Sequence, residues 1–191
     1  CTGSQALHAV GAAEASYRAS ISDELKDLVT GFKGDEVVYM SVGDGTTSEG
    51  EWWEALSSAC TMKLPVIFVV EDNGYAISTP VEVNTAGGDI SKLVVGFPGL
   101  LIQKIDGTDP LASYAAFKAA VEYCRERKGP AFIHAKVIRP YSHSLSDDEK
   151  LYRPSEELEA DAAIDPIKTY AEFLMTEGII SSENLEALRK E

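Results

Sequence analysis

The sequence predicts an α/β fold in which a mostly parallel sheet is covered by helices on both faces. Short, mostly apolar runs are typical of strands that are buried on both faces, and residues 36–42, 65–70 and 131–138 are such runs. Segments with helical periodicity separate these runs, as the crossover connections of a parallel sheet require. Glycine-rich polar segments follow the first two runs directly, at the edge where open α/β sheets bind their ligands.

The first part of the chain is predicted to contain two helices and two strands. Alanine-rich residues 5–19 predict a buried helix, because small side chains let another backbone approach closely. Ser48, with Glu51 three residues later, predicts a capping box that begins the second helix. One apolar stripe is expected on that helix: Trp53, Leu56, Cys60 and Leu64. The predicted order is a helix at 5–19, a polar segment at 22–35, a strand at 36–42, a helix from 48 and a strand at 65–70.

The second part of the chain begins with residues 75–99, which have no regular pattern and are long enough to suggest a functional segment. Asp109 predicts the N-cap of a helix. That helix is expected to bury apolar residues at helical spacing: Tyr114, Phe117, Val121 and Cys124. The predicted order is a strand at 100–105, a helix at 109–128, a strand at 131–138, a polar loop at 139–153 and two helices at 166–176 and 182–190.

Composition excludes several classes of protein. The 191 residues carry 17 basic and 31 acidic side chains, a net charge of −14, and no basic stripe, so no nucleic-acid partner is expected. The longest apolar run, residues 65–70, is far shorter than the ~20 residues that cross a bilayer, so no membrane span is expected. Cys1, Cys60 and Cys124, without a CxxC motif, favour a reducing compartment. Because the chain begins at Cys1 and enters a helix directly, we expect it to be a piece of a longer chain.

The segment Gly43-Asp44-Gly45 is the first candidate for a ligand site. Its glycines permit a tight turn and close approach of the backbone to a ligand, and the positive end of a following helix favours a phosphate. The Asp44 carboxylate would repel that phosphate unless a cation lay between them. Mg²⁺ takes oxygen ligands and often bridges carboxylate and diphosphate groups. The side chain of Asn73 and a backbone carbonyl near Tyr75 are candidates for further ligands.

Two other interpretations of the same segment stay open at this point. Gly43, Gly45 and Ser48 nearly match the dinucleotide fingerprint GxGxxG, but the third glycine is missing. The acid expected about 20 residues later falls at Glu71 or Asp72, which is too far along the chain. The segment is also compatible with a plain turn that binds nothing.

Several ordered motifs resemble one family. Residues 43–80 resemble the thiamine diphosphate signature, in which GDG is followed by a distant asparagine, here Asn73. SEG after the GDG turn, KLP before the second strand, NGYAISTP after it and YSHSLSDDEKLYR in the late loop are similar to the alpha part of the decarboxylating first component of 2-oxo acid dehydrogenase complexes. The resemblance begins at Gly3 and covers nearly the whole chain.

The resemblance implies the thiamine-diphosphate-binding fold, with thiamine diphosphate and Mg²⁺ as cofactors. It assigns the metal to the side chains of Asp44 and Asn73 and to the carbonyl of Tyr75. It implies a catalytic role for His143, at the cofactor phosphates and the substrate entrance, and places Arg139 at the start of the same loop. The residues implied in cofactor binding are Thr2, Gly3, Gln5, Gly43, Asp44, Gly45, Thr46, Asn73, Tyr75, Ile77, Arg139 and His143.

The sequence departs from the family pattern at two positions. Asp72 replaces the first asparagine of the usual pair, and Ser142 stands where many members have glycine or histidine. Asn73 keeps the ligand oxygen, so we expect the metal site to survive, with altered groups around it. His8 and His134 are predicted to be structural.

The function implied by the resemblance is oxidative decarboxylation of a 2-oxo acid, with transfer of the acyl group to a lipoyl group. Residues 1–191 would form one diphosphate-binding domain with a helical extension at 155–191. Expected partners are a beta subunit or fused beta part and a lipoyl acyltransferase core. The expected assembly is a dimer or a heterotetramer, and the expected location is the cytoplasm of a bacterium. Branched-chain substrates of the 2-oxoisovalerate type are favoured, and pyruvate is the alternative substrate. The alternative function is a cofactor-binding and assembly module without activity of its own.

Overall fold

A computed structural model describes residues 2–28 and 31–190 of the chain. The expectations that concern Cys1 and the final residue, Glu191, lie outside the described residues. The elements up to the second strand are α1 (Ser4–Ile21), α2 (Asp23–Lys26), β1 (Val38–Gly43), a 3₁₀ turn (Asp44–Ser48), α3 (Gly50–Met62) and β2 (Val66–Asp72).

The remaining elements follow in chain order. A small hairpin and two short helices come first: β3 (Tyr75–Ala76), β4 (Thr79–Pro80), α4 (Val81–Asn84) and α5 (Ile90–Leu93). The last part of the chain contains β5 (Leu101–Asp106), α6 (Pro110–Arg125), β6 (Ala131–Lys136), α7 (Ser155–Ala163), α8 (Pro166–Thr176) and α9 (Ser182–Leu188). No helix in the described part of the chain is long and apolar enough to cross a bilayer.

The main sheet confirms the predicted α/β class. Within the described residues it has four strands in the order β1-β2-β6-β5, and every neighbouring pair is parallel. Side chains of α1 and α3 pack on one face of the sheet, and those of α6 pack on the other. The central strands β2 and β6 are therefore buried on both faces, which explains their continuous apolar sequence.

Trp52 is at the centre of the larger core. Its indole is completely buried and packs edge-on against two strand residues, with ring centroids 5.5 Å from Phe68 and 6.1 Å from Phe132. Each such aromatic pair contributes about 0.5–1.5 kcal/mol beyond the burial of its area. These contacts fix α3 against β2 and β6, and so fix the turn that joins β1 to α3.

The predicted capping box at Ser48 is wrong. The residues after β1 tighten into a 3₁₀ turn that ends at Ser48, and α3 begins only at Gly50 without a side-chain cap. The hydroxyl of Ser48 instead lies 3.1 Å from the side-chain oxygen of Asn84, on α4. A contact between distant segments has replaced the local one that the spacing favoured.

Other predictions fail in detail, because the spacing of apolar residues does not show which side chains the tertiary contacts bury. The stripe of α6 holds at Cys124, which is buried, but Tyr114 is exposed. Helix α7 lies within the predicted helical extension at 155–191 but is not predicted as a separate helix, because its sequence carries no apolar stripe and none of its residues is buried. Asp109 does cap α6, since its carboxylate accepts hydrogen bonds from the amides of Leu111 and Ala112.

Candidate functional site

The candidate site lies where the carboxyl ends of β1 and β2 meet. Gly43, the last residue of β1, pairs in register with Glu71 of β2, so Asp44 and Asn73 follow neighbouring strand tips. A cavity of about 360 Å³ opens there. Its lining residues are Thr2, Gly43, Asp44, Gly45, Thr46, Asn73, Tyr75, Ala76, Ile77 and His143.

Asp44 carries the most unusual side chain of the cavity. It is 1% exposed, and neither carboxylate oxygen has a hydrogen-bond partner within the described residues. Burial and the nearby charge of Asp72 raise the pKa of Asp44 above its usual value, and the backbone amides of Asp44 and Asn73 and the charge of Lys136 oppose this shift only in part. A buried polar group without a partner costs free energy, and a bound cation would remove that cost. The Asp44 carboxylate therefore fits a divalent cation.

Asn73 and Tyr75 line the same cavity and carry further oxygen atoms. The side-chain oxygen of Asn73 accepts a hydrogen bond from the Tyr75 amide at 3.1 Å, which fixes its position and leaves a lone pair for a second partner. Asp72 holds the same turn, because its carboxylate accepts from the Gly74 amide at 2.9 Å. Burial opposes ionisation of Asp72, but hydrogen bonds from His134 and Lys136 outweigh it and lower its pKa to about 2.

The oxygen set is a mixed one. Among residues 2–28 and 31–190, no three side chains of His, Cys, Asp or Glu are grouped so as to hold a metal. One carboxylate, one carboxamide and backbone carbonyls are instead the oxygen ligands that Mg²⁺ accepts, usually together with water and phosphate. The residues present therefore fit a magnesium ion that is completed by a phosphorylated ligand.

The hairpin β3–β4 forms one wall of the cavity. Ile77 in its turn has a positive φ of 58°, an unusual conformation for a β-branched residue. The Arg139 guanidinium donates to the Ile77 carbonyl at 2.9 Å and so holds this conformation. The same guanidinium lies 5.7 Å from the ring centroids of both Tyr75 and Tyr152. Arg139 thus joins the hairpin to the late loop.

Gly45 lets the 3₁₀ turn pack directly on this hairpin. A Cβ at Gly45 would lie 2.5 Å from the Ala76 Cβ and 3.1 Å from its Cα, which is too close for any side chain. The sequence predicts that the backbone at this glycine closely approaches a ligand. In the structure the close neighbour is Ala76.

We expect Gly45→Ala to destabilise the protein by about 1–3 kcal/mol, because the added methyl group forces the turn and the hairpin apart. Gly50→Ala is the matched control, since in the described part of the chain no atom outside the local helix backbone lies within 4 Å of a Cβ at that position. Denaturant unfolding of both variants measures the difference. Equal stability of the two would contradict the packing described here.

His143 is held in place by a chain of hydrogen bonds in the late loop. Arg139 donates to the Tyr152 hydroxyl at 2.7 Å, and that hydroxyl donates to the Asp147 carboxylate at 2.6 Å. The same carboxylate accepts from the His143 backbone amide at 2.8 Å. The hydrogen bond from Tyr152 lowers the pKa of Asp147. The His143 side chain is itself exposed at the cavity.

Arg153 anchors this loop and was missed by the sequence analysis. Its guanidinium is nearly fully buried and pairs with the carboxylates of Glu149, Glu157 and Asp161. Glu157 also accepts a hydrogen bond from the Tyr75 hydroxyl at 2.9 Å. The spacing of Glu149, Arg153 and Glu157 at four-residue intervals was the available signal.

Three of the residues implied in cofactor binding do not line the cavity. Gly3 begins α1 in a left-handed conformation, φ 87°, and lies against Glu49. The Gln5 amide is 3.5 Å from the Ser41 carbonyl, and Arg139 supports the hairpin from outside. Gly45 lies within the 3₁₀ turn, and α3, whose start was expected at the phosphate, begins only after that turn, at Gly50.

Comparisons with known proteins agree with the resemblance. Residues 2–191 match the family described as the dehydrogenase E1 component. The chain is 39% identical over 181 residues to the 3-methyl-2-oxobutanoate dehydrogenase subunit alpha of Mycobacterium tuberculosis (strain ATCC 25618 / H37Rv), which covers 94% of this chain and 45% of the relative. It is 37% identical over 153 residues to the 2-oxoisovalerate dehydrogenase subunit alpha of Bacillus subtilis (strain 168), 79% of this chain and 46% of the relative.

A relative with a different substrate in its name also matches. The chain is 36% identical over 160 residues to the pyruvate dehydrogenase E1 component subunit alpha of Acholeplasma laidlawii, 83% of this chain and 46% of the relative. The chain thus spans about half the length of the curated relatives it matches.

Proposed function

The chain belongs to the dehydrogenase E1 component family, and from this premise we propose that it supplies the magnesium- and diphosphate-binding half of a thiamine diphosphate site in an enzyme that oxidatively decarboxylates a 2-oxo acid. The observation that carries this proposal is the buried Asp44 carboxylate, which has no hydrogen-bond partner within the described residues and faces the same cavity as Asn73. A divalent cation explains both the burial of the acid and its position beside an amide.

Each cavity residue has a task in the proposed site. Asp44, the Asn73 side chain and the Tyr75 carbonyl would hold Mg²⁺, and the backbone of Gly45 and Thr46 would bind the diphosphate. Bound thiamine diphosphate supplies an electron sink for the loss of carbon dioxide from a 2-oxo acid. Ile77 and Thr2 line the same cavity, where Ile77 would contact the cofactor and Thr2 would lie at its aminopyrimidine ring.

His143 is the proposed catalytic residue. Its imidazole lies at the cavity on a loop that Asp147 fixes through the backbone amide. From there a ring nitrogen can donate to phosphate oxygens or transfer a proton to the reacting substrate, the usual work of histidine in acid–base catalysis.

The proposed substrate is a branched-chain 2-oxo acid of the 2-oxoisovalerate type. Two of the relatives described above carry such a substrate in their names, and the motifs NGYAISTP and HS-x-SDD support the same choice. Pyruvate is the second candidate, because a relative of similar identity is a pyruvate dehydrogenase subunit.

The proposal includes partners and a domain organisation. A beta subunit or fused beta part would complete the cofactor site, and a lipoyl acyltransferase core would accept the acyl group. Residues 1–191 would act as one diphosphate-binding domain with a helical extension at 155–191, in a dimer or heterotetramer. A cytoplasmic location is part of the proposal, since the relatives named above are bacterial.

Calorimetry with the full-length protein tests the cofactor. We expect thiamine diphosphate to bind only when Mg²⁺ is present, and NAD to give no heat, because the third glycine of the dinucleotide fingerprint is missing. Binding of NAD in preference would overturn the assignment. An artificial electron acceptor then tests activity: the 191-residue chain alone is expected to be inactive and to gain turnover with a beta part. Failure of that gain would favour the assembly module.

A further inference from the structure

His134 is a buried polar residue that the proposed mechanism does not use. It lies in β6 and is completely buried. Its Nε2 is 2.7 Å from a carboxylate oxygen of Asp72, and its Nδ1 is 3.4 Å from a carboxylate oxygen of Asp89. Because a carboxylate is an acceptor, Nε2 carries the proton and donates it to Asp72.

Two lysines extend this contact into a row of charges. The Lys136 ammonium lies 2.5 Å from the same Asp72 oxygen that His134 contacts, and the Lys104 ammonium lies 2.8 Å from Asp89. In the sheet, Asp72 is in register with Lys136, and His134 is in register with Lys104. The row therefore crosses β2, β6 and β5 at their carboxyl ends, and in it the acids Asp72 and Asp89, which are buried or nearly so, pair with lysines that are about half exposed.

Asp72 connects this row to the cavity. One of its carboxylate oxygens contacts His134 and Lys136, and the other accepts a hydrogen bond from the Gly74 amide at 2.9 Å. That amide belongs to the turn that carries Asn73 and Tyr75. The Asn73 side-chain oxygen and the Tyr75 carbonyl oxygen are the ligands proposed for the cation beside Asp44. The Asp72 carboxylate is thus one of the groups that hold this turn, together with the Val81 amide, which donates to the Gly74 carbonyl at 2.8 Å.

We propose that His134 is a positioning residue: by holding the Asp72 carboxylate from β6, it fixes the turn at residues 73–75 so that the Asn73 oxygen and the Tyr75 carbonyl face the cation. This inference rests on the proposed function. Groups that orient metal ligands in this way typically change metal affinity 10- to 100-fold when they are removed.

The position of Phe132 argues that packing alone does not require a histidine here. Phe132 is two residues earlier in β6, on the same face of the sheet and equally buried, and it contacts Trp52. An apolar side chain therefore satisfies the neighbouring position. At residue 134 a polar ring is buried between two acids, a costly arrangement unless the ring is hydrogen-bonded.

Two polar substitutions of His134 test its contact with Asp72 separately from its contact with Asp89. The amide nitrogen of a glutamine can occupy the place of the histidine Nε2, so His134→Gln keeps the donor to Asp72. The amide nitrogen of an asparagine corresponds to Nδ1, so His134→Asn loses that donor and keeps a polar group towards Asp89. Phe132→Leu is the control for general disturbance of β6.

The experiment measures Mg²⁺-dependent binding of thiamine diphosphate to the full-length protein by calorimetry, and hydrogen exchange of the Gly74 amide without cofactor. We expect His134→Asn to weaken binding about 10- to 100-fold and to expose the Gly74 amide to exchange. His134→Gln should stay close to the wild type in both measurements. Phe132→Leu should lower the melting temperature and leave both unchanged.

The outcomes distinguish the inference from the function on which it rests. If His134→Asn binds and exchanges like the wild type, or if Phe132→Leu weakens binding as much, His134 does not position the turn and the proposed function stands. If the wild type shows no Mg²⁺-dependent binding, both are overturned.

Discussion

Asp44→Asn is expected to weaken magnesium-dependent binding of thiamine diphosphate strongly and also to stabilise the protein without cofactor. The carboxylate is buried and lacks a hydrogen-bond partner within the described residues. Removing one partner of a buried charge pair costs about 3–5 kcal/mol, roughly a 10²- to 10⁴-fold loss of affinity. Without the cation, the buried Asp44 charge lowers the stability of the folded protein by about 1–3 kcal/mol. The neutral side-chain amide of the Asp44→Asn variant reduces this loss.

Calorimetry and denaturant unfolding of the full-length protein measure the two effects. Glu71→Gln is the matched control, because Glu71 is an exposed acid at the same strand tip, next to Asp72 in the sequence. It should change neither quantity. If Asp44→Asn retained cofactor affinity, or destabilised the protein without cofactor, Asp44 would not be the cation ligand described here.

His143→Ala is the second substitution with a large expected effect. It should lower acyl transfer by about 10²- to 10⁴-fold, the usual contribution of a positioned acid or base, and leave thiamine diphosphate bound. The reason is its place: the ring is exposed at the cavity, whereas the proposed cation ligands come from the strand tips. Turnover in the assembled enzyme and cofactor affinity by calorimetry are the two measurements.

Leu145→Ala controls for disturbance of the late loop, because Leu145 is two residues away and exposed to solvent. It should leave both measurements unchanged. Unchanged turnover of His143→Ala would refute the catalytic role. An equal loss in both variants would assign the effect to the loop rather than to the imidazole.

The fold was predictable where a local pattern coincides with the tertiary contacts. The apolar run of β2 reports burial on both faces, and the Asp109 cap needs only the next three residues. The capping box at Ser48 failed because that hydroxyl contacts Asn84, which is distant in the sequence. Helix α7 has no apolar stripe, since its role is to bring Glu157 and Asp161 to Arg153.

The site was predictable in its strand-tip residues and not in what supports them. Gly43 ends β1, and Asp44 and Asn73 follow directly after β1 and β2, so their meeting at one edge follows from the parallel sheet. His134, Asp72 and Asp89 belong to three separate segments, and nothing local in the sequence pairs them. The histidine was expected to be structural. Its contact with Asp72 follows from the register of β2 with β6, and its contact with Asp89 comes from the residue that caps α5.

A crystal structure of the full-length protein with Mg²⁺ and thiamine diphosphate tests the central claim most directly. We expect a cation with oxygens of both Asp44 and Asn73 at about 2.0–2.1 Å, the distances of magnesium ligands, and with diphosphate oxygens as further ligands. A cofactor bound elsewhere, or a cation in this cavity that neither residue contacts, would contradict it.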